Sequence, residues 1–285
     1  MNPGQFLRDT CALAWALALL VQTSAIALAS EDVPFITTPD SATLTMLQLA
    51  RVKPHDYVID LGSGDGRIVI LAAKRFRARG LGVEIVPDLV QKSIENAQRA
   101  GVARRVEFRE QDLFKTDLSA ATVITMYLLP EVNLRLRPAL LALKPGTRIV
   151  SHDWDMGEWL PDRTLTLDVP DKTIGREKTS RVYRWVVPAR VAGLWCTVGQ
   201  RGHTALRITQ TFQQVRADVG GALTLPSFEG RLDGRTLRAS PVAAGQLDML
   251  AIGERLRVTR ARGPFASLAG KVFARAEPEG CLGER

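Results

Sequence analysis

Between Tyr57 and Val187 short apolar runs alternate with longer amphipathic ones. Tyr57-Val58-Ile59-Asp60-Leu61 reads as a strand that runs into a glycine loop, and Arg67 to Phe76 as a helix with Ile68, Leu71 and Ala72 on one face. Leu81 to Glu84 is a second strand. Pro87 suits the first turn of a helix, which Leu89, Ile94 and Ala97 carry to Ala100 before Gly101 stops it. Val106 to Phe108 and Val123 to Met126 are the third and fourth strands, Glu131 to Leu143 is a helix ended by Pro145-Gly146, and Thr147 to Ser151 is the fifth strand. Leu165 to Val169 and Arg181 to Val187 have no helix-length pattern between them and read as a hairpin-like pair. Upstream, Asp40 is expected to cap a helix from Ser41 to Ala50, whose Leu44, Leu47 and Ala50 share a face. Strand and helix in alternation predict an α/β domain.

From Ala192 the pattern changes. Leu206 to Thr209, Ala222 to Leu225, Leu232 to Arg235 and Leu256 to Thr259 are short alternating runs separated by glycine turns, which predicts a small all-β barrel or sandwich. Pro188 to Gly193 is the joint. The expected organisation is a leader or anchor over 1–29, an α/β domain over 33–188 and the all-β domain over 192–285.

Length supports this division, since 285 residues exceed one average domain. A 46% hydrophobic and 24% charged composition is that of a chain with a real core, which excludes wholesale disorder. The net charge of +8 raises the question of a nucleic-acid partner. However, Arg231, Arg235, Arg238, Arg255, Arg257 and Arg260 alternate with apolar residues as on solvated strand faces. No aromatic residues interleave with them to stack bases, so nucleic acid is not the expected partner.

At the N-terminus Arg8 precedes an apolar run from Cys11 to Val21, and Ala27-Leu28-Ala29 offers small residues at a cleavage site. Cys11 to Ala29 is also just long enough to span a membrane. Both a cleaved signal and a retained anchor stay open. Either one predicts an exported (periplasmic) or membrane-anchored body, with membrane association through the N-terminus. Cys196 and Cys281 bracket the last third and could pair in an oxidising compartment. His55, His152 and His203 stand apart from one another and from cysteines, so no metal site is expected.

The segment that carries chemistry is Asp60-Leu61-Gly62-Ser63-Gly64-Asp65-Gly66-Arg67. Gly62, Gly64 and Gly66 let the backbone turn tightly and approach a ligand with no Cβ in the way. In an open α/β sheet this loop lies at the carboxyl end of the first strand, where ligands bind. The Gly-x-Gly-x-Gly spacing, in place of Gly-x-Gly-x-x-Gly, is less suited to a pyrophosphate. The acids Asp60 and Asp65 repel phosphates but suit an ammonium group, which disfavours a nicotinamide dehydrogenase. Glu84 ends the next strand, where an acid accepts from ribose hydroxyls. Asp112, after the third strand, is placed to accept from an adenine amino group while Leu113 covers the ring; a helix N-cap is the other reading of Asp112.

These residues resemble class I, seven-stranded S-adenosylmethionine-dependent methyltransferases, whose Rossmann-like sheet has five βα units closed by an antiparallel pair. Pro34 to Pro39, Asp60 to Arg67, Tyr127-Leu128-Leu129-Pro130-Glu131-Val132-Asn133 and Ser151-His152-Asp153 are similar to the family of the ATP-synthase c-subunit lysine N-methyltransferase and its bacterial relatives. The resemblance covers Val33 to Pro188, and the β-domain has no counterpart in it. It implies S-adenosyl-L-methionine held by Asp60, Gly62, Ser63, Gly64, Asp65, Gly66, Glu84 and Asp112. It further implies methyl transfer to a lysine of a protein, for instance a membrane protein. Tyr127 is placed at the wall of the acceptor channel, with Leu128, Leu129 and Pro130 keeping it dry; a buried strand-end aromatic is the other reading. His152 could touch the acceptor from the fifth strand or face a helix structurally. The Asn/Asp-Pro-Pro-aromatic motif of amide and nucleobase amino methylation is absent. A small-molecule or lipid methyltransferase and a non-catalytic adenosylmethionine-binding module remain alternatives on the same loop.

Overall fold

The computed structural model describes residues 38–170, 172, 177–198, 204–221, 225–240, 245–277 and 281, all within the compact unit Phe35–Arg285. The N-terminal apolar segment, residues 34–37 and the strand expected from Ala222 fall wholly or mainly outside these residues.

The first half builds helix α1 (Asp40–Leu49), strand β1 (Tyr57–Leu61), α2 (Arg67–Phe76), β2 (Arg79–Glu84), α3 (Pro87–Arg99), β3 (Val106–Glu110), β4 (Val123–Met126), α4 (Pro130–Leu141), β5 (Arg148–His152), β6 (Arg163–Asp168) and β7 (Thr179–Val186). They form one seven-stranded sheet in the order β3-β2-β1-β4-β5-β7-β6. β1 to β5 pair in parallel, and β7 runs antiparallel to both β5 and β6. Side chains along a strand point alternately to the two faces, and both faces are buried. Val58, Val123, Val150 and Val182 pack with Met46 and Leu47 of α1 and Ile68 and Ala72 of α2. Ile59, Leu61, Ile124, Met126 and Ile149 pack on the other side with Leu136 and Leu140 of α4 and with Trp159 and Trp185.

The second half continues as β8 (Gly193–Thr197), β9 (Thr204–Thr211), β10 (Gln214–Gly221), β11 (Phe228–Asp233), β12 (Thr236–Ala239), β13 (Gln246–Ile252), β14 (Arg255–Arg262) and β15 (Val272–Ala276). These eight strands close into an antiparallel barrel in the order β10-β11-β12-β13-β14-β15-β8-β9. Trp195, Phe228, Met249, Phe265 and Phe273 fill its interior. That agrees with an eight-stranded barrel being just wide enough to be filled by side chains. Cys196 and Cys281 are joined as a disulfide with Cα atoms 5.7 Å apart.

Three expectations need correction. Helix α1 starts at Asp40 itself with Pro39 as its N-cap, and no side chain caps it. Asp40 therefore serves as a first-turn acid, 3.9 Å from the Arg67 guanidinium. Leu232 to Arg235 is not one strand but straddles the β11–β12 turn. Gly234 there has φ +56°, and a Cβ would meet the Gly146 backbone at 3.1 Å. Leu225 lies outside any strand, while Gln214–Gly221, whose Val215, Ala217 and Val219 alternate inward, is a strand the pattern reading passed over.

The barrel and the sheet share a polar and aromatic seam. Phe212, at the β9–β10 turn, stacks on Trp159 at 6.2 Å between centroids. The Trp159 indole donates to Gln213 Oε1 at 3.0 Å, and Gln213 Nε2 donates to the Leu160 carbonyl at 2.7 Å. Arg231 pairs with Asp162 at 2.5 Å, and Ala189 N donates to the Gly234 carbonyl at 2.8 Å.

Candidate active site

The glycine loop leaves β1 at Leu61 and returns into α2 at Arg67. Gly62 and Gly66 have φ of +72° and +79°, the left-handed region that costs glycine nothing. Each is also crowded. A Cβ at Gly62 would lie 2.9 Å from the Leu128 side chain, and one at Gly66 would lie 2.7 Å from the Phe108 ring. Leu128 is thus buried against the loop.

The neighbouring elements hold the turn in place. Gly62 N and Ser63 N both donate to the Val83 carbonyl at 2.9 Å. Gly64 N donates to Glu84 Oε2 at 2.9 Å, while Glu84 Oε1 accepts from Ile85 N and Val86 N at 2.8 and 3.1 Å. From α3, Ser93 Oγ donates to the Gly64 carbonyl at 2.8 Å and Asn96 Nδ2 to the Asp65 carbonyl at 2.9 Å. Ser93 and Asn96 were not singled out from the sequence. Their signal was there, as two small polar residues one turn apart on the face that carries Ala97.

The two loop acids do different work. Asp65 is grasped by its neighbour: Arg67 Nε donates to Oδ1 at 2.9 Å and a terminal nitrogen donates to Oδ2 at 2.8 Å. Burial alone would raise its pKa, but these bonds hold it below the usual carboxylate range. Arg67 also donates to the Thr38 carbonyl at 2.8 Å, tying the residues before α1 to the loop. Asp60 is different. The parallel register sets it opposite Thr125 of β4, whose hydroxyl donates to Oδ1 at 2.7 Å. Its other oxygen, Oδ2, and the Ser63 hydroxyl are buried without a hydrogen-bond partner among the described residues. Burial, with Glu84 and Asp65 nearby and only Thr125 opposing, pushes the Asp60 carboxyl up to about 7. Buried polar atoms are normally satisfied, so an unpartnered carboxylate oxygen beside a glycine turn fits a ligand ammonium. Asp112 Oδ1 accepts from Phe114 N at 2.8 Å as the N-cap of a 3₁₀ turn over Leu113–Lys115.

At the ends of β4 and β5 lies a second cluster. Tyr127, Thr125 and Asp60 share a side of the sheet by alternation, and His152 lies on that side two residues beyond Val150. The Tyr127 and His152 rings are 4.1 Å apart. Burial and the adjacent Asp153 push the Tyr127 phenol up to about 12, so it stays protonated. Burial pushes the His152 imidazole down to about 4 despite Asp153, so it is neutral near pH 7. Asp153 lies 3.5 Å from the Tyr127 hydroxyl, which donates to it. On α4, Asn133 is buried and donates to Ser151 Oγ and to the carbonyls of Trp154 and Asp155 at 3.2–3.3 Å, which fixes the chain just beyond Asp153.

Comparison with known proteins gives this constellation a context. Residues 60–163 match the family described as the ANTKMT methyltransferase domain. The chain is 41% identical over 138 residues to a protein-lysine N-methyltransferase of Saccharolobus islandicus, covering 48% of this chain and 86% of that protein. It is 33% identical over 148 residues to the mouse adenine nucleotide translocase lysine N-methyltransferase, covering 52% of this chain and 64% of the relative. Among solved structures, a Salinibacter ruber protein described as an RNA methyltransferase, in complex with S-adenosyl-L-homocysteine, is 53% identical. The match covers 55% of this chain and 96% of that one, with a TM-score of 0.50. The relatives share the methyl-transfer chemistry and differ in the acceptor they are named for.

Proposed function

This chain belongs to the S-adenosylmethionine-dependent methyltransferase family that includes the Saccharolobus protein-lysine N-methyltransferase, and we propose that it methylates the side-chain amine of a protein lysine. The cofactor part of the reading is carried by the cradle, a glycine turn clamped on three sides with a buried Asp60 Oδ2 at its base that has no partner among the described residues, and the lysine part by the likeness to the Saccharolobus enzyme.

S-adenosylmethionine, when bound, supplies an electrophilic methyl group on a sulfonium centre. The residues present fit it. Asp60 Oδ2 would take the amino group of the methionine part, the Gly62–Gly66 backbone would lie against it, and Glu84 would hold the ribose. Asp112 would stand at the adenine edge while capping its turn. Asp65 supports the turn through Arg67, which donates to both of its oxygens. On the acceptor side Tyr127 forms a wall beside His152. A lysine has a free pKa of about 10.4, and partial burial there favours its neutral, nucleophilic form. His152, neutral near pH 7, brings no charge of its own, while the Asp153 carboxylate beside it favours the ammonium form until the proton is lost. Acceleration then comes mainly from holding the amine in line with the methyl group.

RNA is the second reading, favoured by the description of the Salinibacter protein. The Saccharolobus and mouse relatives weigh against it, since both are named for lysine N-methylation. Incubation with methyl-tritiated adenosylmethionine, a membrane-protein extract and total RNA separates the two. Label lost to protease and found on methyl-lysine by mass spectrometry is expected; label lost only to ribonuclease would refute the lysine reading. Tyr127→Phe is expected to lower kcat while leaving adenosylhomocysteine affinity within about twofold. The apolar run Cys11 to Val21 and the Cys196–Cys281 disulfide support an exported or anchored body, with the acceptor lysine in a membrane protein.

A further inference from the structure

Lys172, which follows β6 in the chain, lies at the acceptor end of the site. Lys172 Nζ lies 2.8 Å from Asp153 Oδ2 and donates to the Thr179 carbonyl at 2.7 Å, with its side chain only 15% exposed. Asp153 follows β5 directly and has φ +60°, a left-handed conformation that aspartate and asparagine tolerate better than other side chains. Its Oδ1 accepts from Arg181 N at 2.9 Å. That bond leaves Oδ2 facing three groups: Lys172 Nζ, the Tyr127 hydroxyl at 3.5 Å and His152 Nε2 at 3.7 Å. Neither nitrogen of His152 makes a hydrogen bond among the described residues, although the side chain is fully buried. An ammonium group therefore already stands between the residues that the acceptor must reach, beside a buried polar ring with spare hydrogen-bonding capacity.

The geometry points to Asp153 Oδ2 as the seat of the acceptor lysine's ammonium group, with Lys172 occupying that seat until an incoming lysine displaces it. The inference rests on the lysine reading above. Exchange of one ammonium for another leaves the half-buried carboxylate paired before and after, whereas removing a partner outright would leave a charge uncompensated. An uncharged side chain cannot make the exchange, and a seat whose resident Nζ meets both Asp153 Oδ2 and the Thr179 carbonyl matches the compact donor set of an ammonium rather than a planar guanidinium. Lys172 also weakens apparent binding, because only the fraction of molecules with the seat vacated is competent.

The test uses the full chain saturated with adenosylhomocysteine, labelled with nitrogen-15 on its lysine side chains, and hexa-L-lysine as the probe. One slowly exchanging ammonium signal, absent in Lys172→Met, is expected to move to the position of exposed lysines on titration with hexa-lysine but not with hexa-arginine. In methyl transfer to extract proteins, Asp153→Asn is expected to raise KM roughly ten- to hundredfold. Its adenosylhomocysteine Kd should stay within about twofold. Asparagine can keep both the left-handed backbone and the bond from Arg181 N, so this variant should fold. Lys172→Met is expected to lower KM several-fold. A Lys172 signal unmoved by hexa-lysine, or Asp153→Asn labelling extract proteins with wild-type KM, would overturn the seat while leaving lysine transfer standing. A wild-type enzyme that labels no lysine would overturn the lysine reading and the seat with it.

Discussion

The unpartnered oxygen of Asp60 makes cofactor affinity depend on pH in a way that can be worked from the structure. In the free protein Asp60 is 1% exposed and its carboxyl is pushed up to about 7, by burial first and by the charges of Glu84 and Asp65 second. A ligand ammonium at Oδ2 favours the ionised form, so binding below that value must first expel a proton. Affinity therefore rises with pH up to about 7 and then levels off. At pH 5.5, about one and a half units below the midpoint, binding should be weaker than the plateau by roughly 1.5 decades, about 2 kcal/mol. The ligand's own α-amine stays protonated across pH 5.5 to 7.5, which is the useful window. Calorimetric titration with adenosylhomocysteine in buffers of different ionisation enthalpy measures both Kd and the protons released. Asp60→Asn keeps the shape and a bond to Thr125, and it should bind weakly with no slope in this window. A wild-type Kd constant within twofold from pH 5.5 to 7.5, or a slope retained in Asp60→Asn, would refute the assignment. The sign for ligand-free stability is the reverse. A carboxyl whose folded pKa is raised makes the fold less stable as pH climbs from about 4 to about 7, so unfolding of the free protein should be easier at pH 7.5 than at pH 5.

Glu84→Ala removes the acceptor for the amides of Gly64, Ile85 and Val86 and is expected to weaken adenosylhomocysteine binding by about one to two decades. An unchanged Kd would leave Glu84 a loop support only. Gly66→Ala sets a methyl group 2.7 Å from the Phe108 ring at φ +79° and should cost about 1–3 kcal/mol of stability, read as a lowered Tm that Phe108→Ala partly restores. Equal Tm in wild type and Gly66→Ala would contradict that crowding. Cys196→Ser opens a disulfide that spans 85 residues and should destabilise the protein by about 4–5 kcal/mol on loop-closure entropy. Two free thiols in mature protein from its native host would count against both the bond and an exported body.

The elements of the sheet were legible because local chemistry dictates them. The apolar run of β1, the amphipathic repeat of α2 from Arg67 to Phe76 and the four residues of β4 need no distant partner to be recognised. Gly62, Gly64 and Gly66 likewise mark a backbone that other residues would strain, so the ligand end of the sheet was visible in the sequence. The boundary between αβ alternation and all-β patterning near Gly193 was equally local. Only the tertiary structure separated Asp60 from Asp65. In sequence both are loop acids. In space Arg67 closes on one, while strand register gives the other a single partner in Thr125 and leaves an oxygen free. Asp153 and Lys172 stand nineteen positions apart and meet because β7 turns back antiparallel along β5, a pairing that no periodicity records. Closure of the barrel, and the seam of Phe212 and Gln213 on Trp159, were hidden for the same reason. Periodicity states which face of an element is buried, but the element that covers it is chosen by contacts distant in sequence.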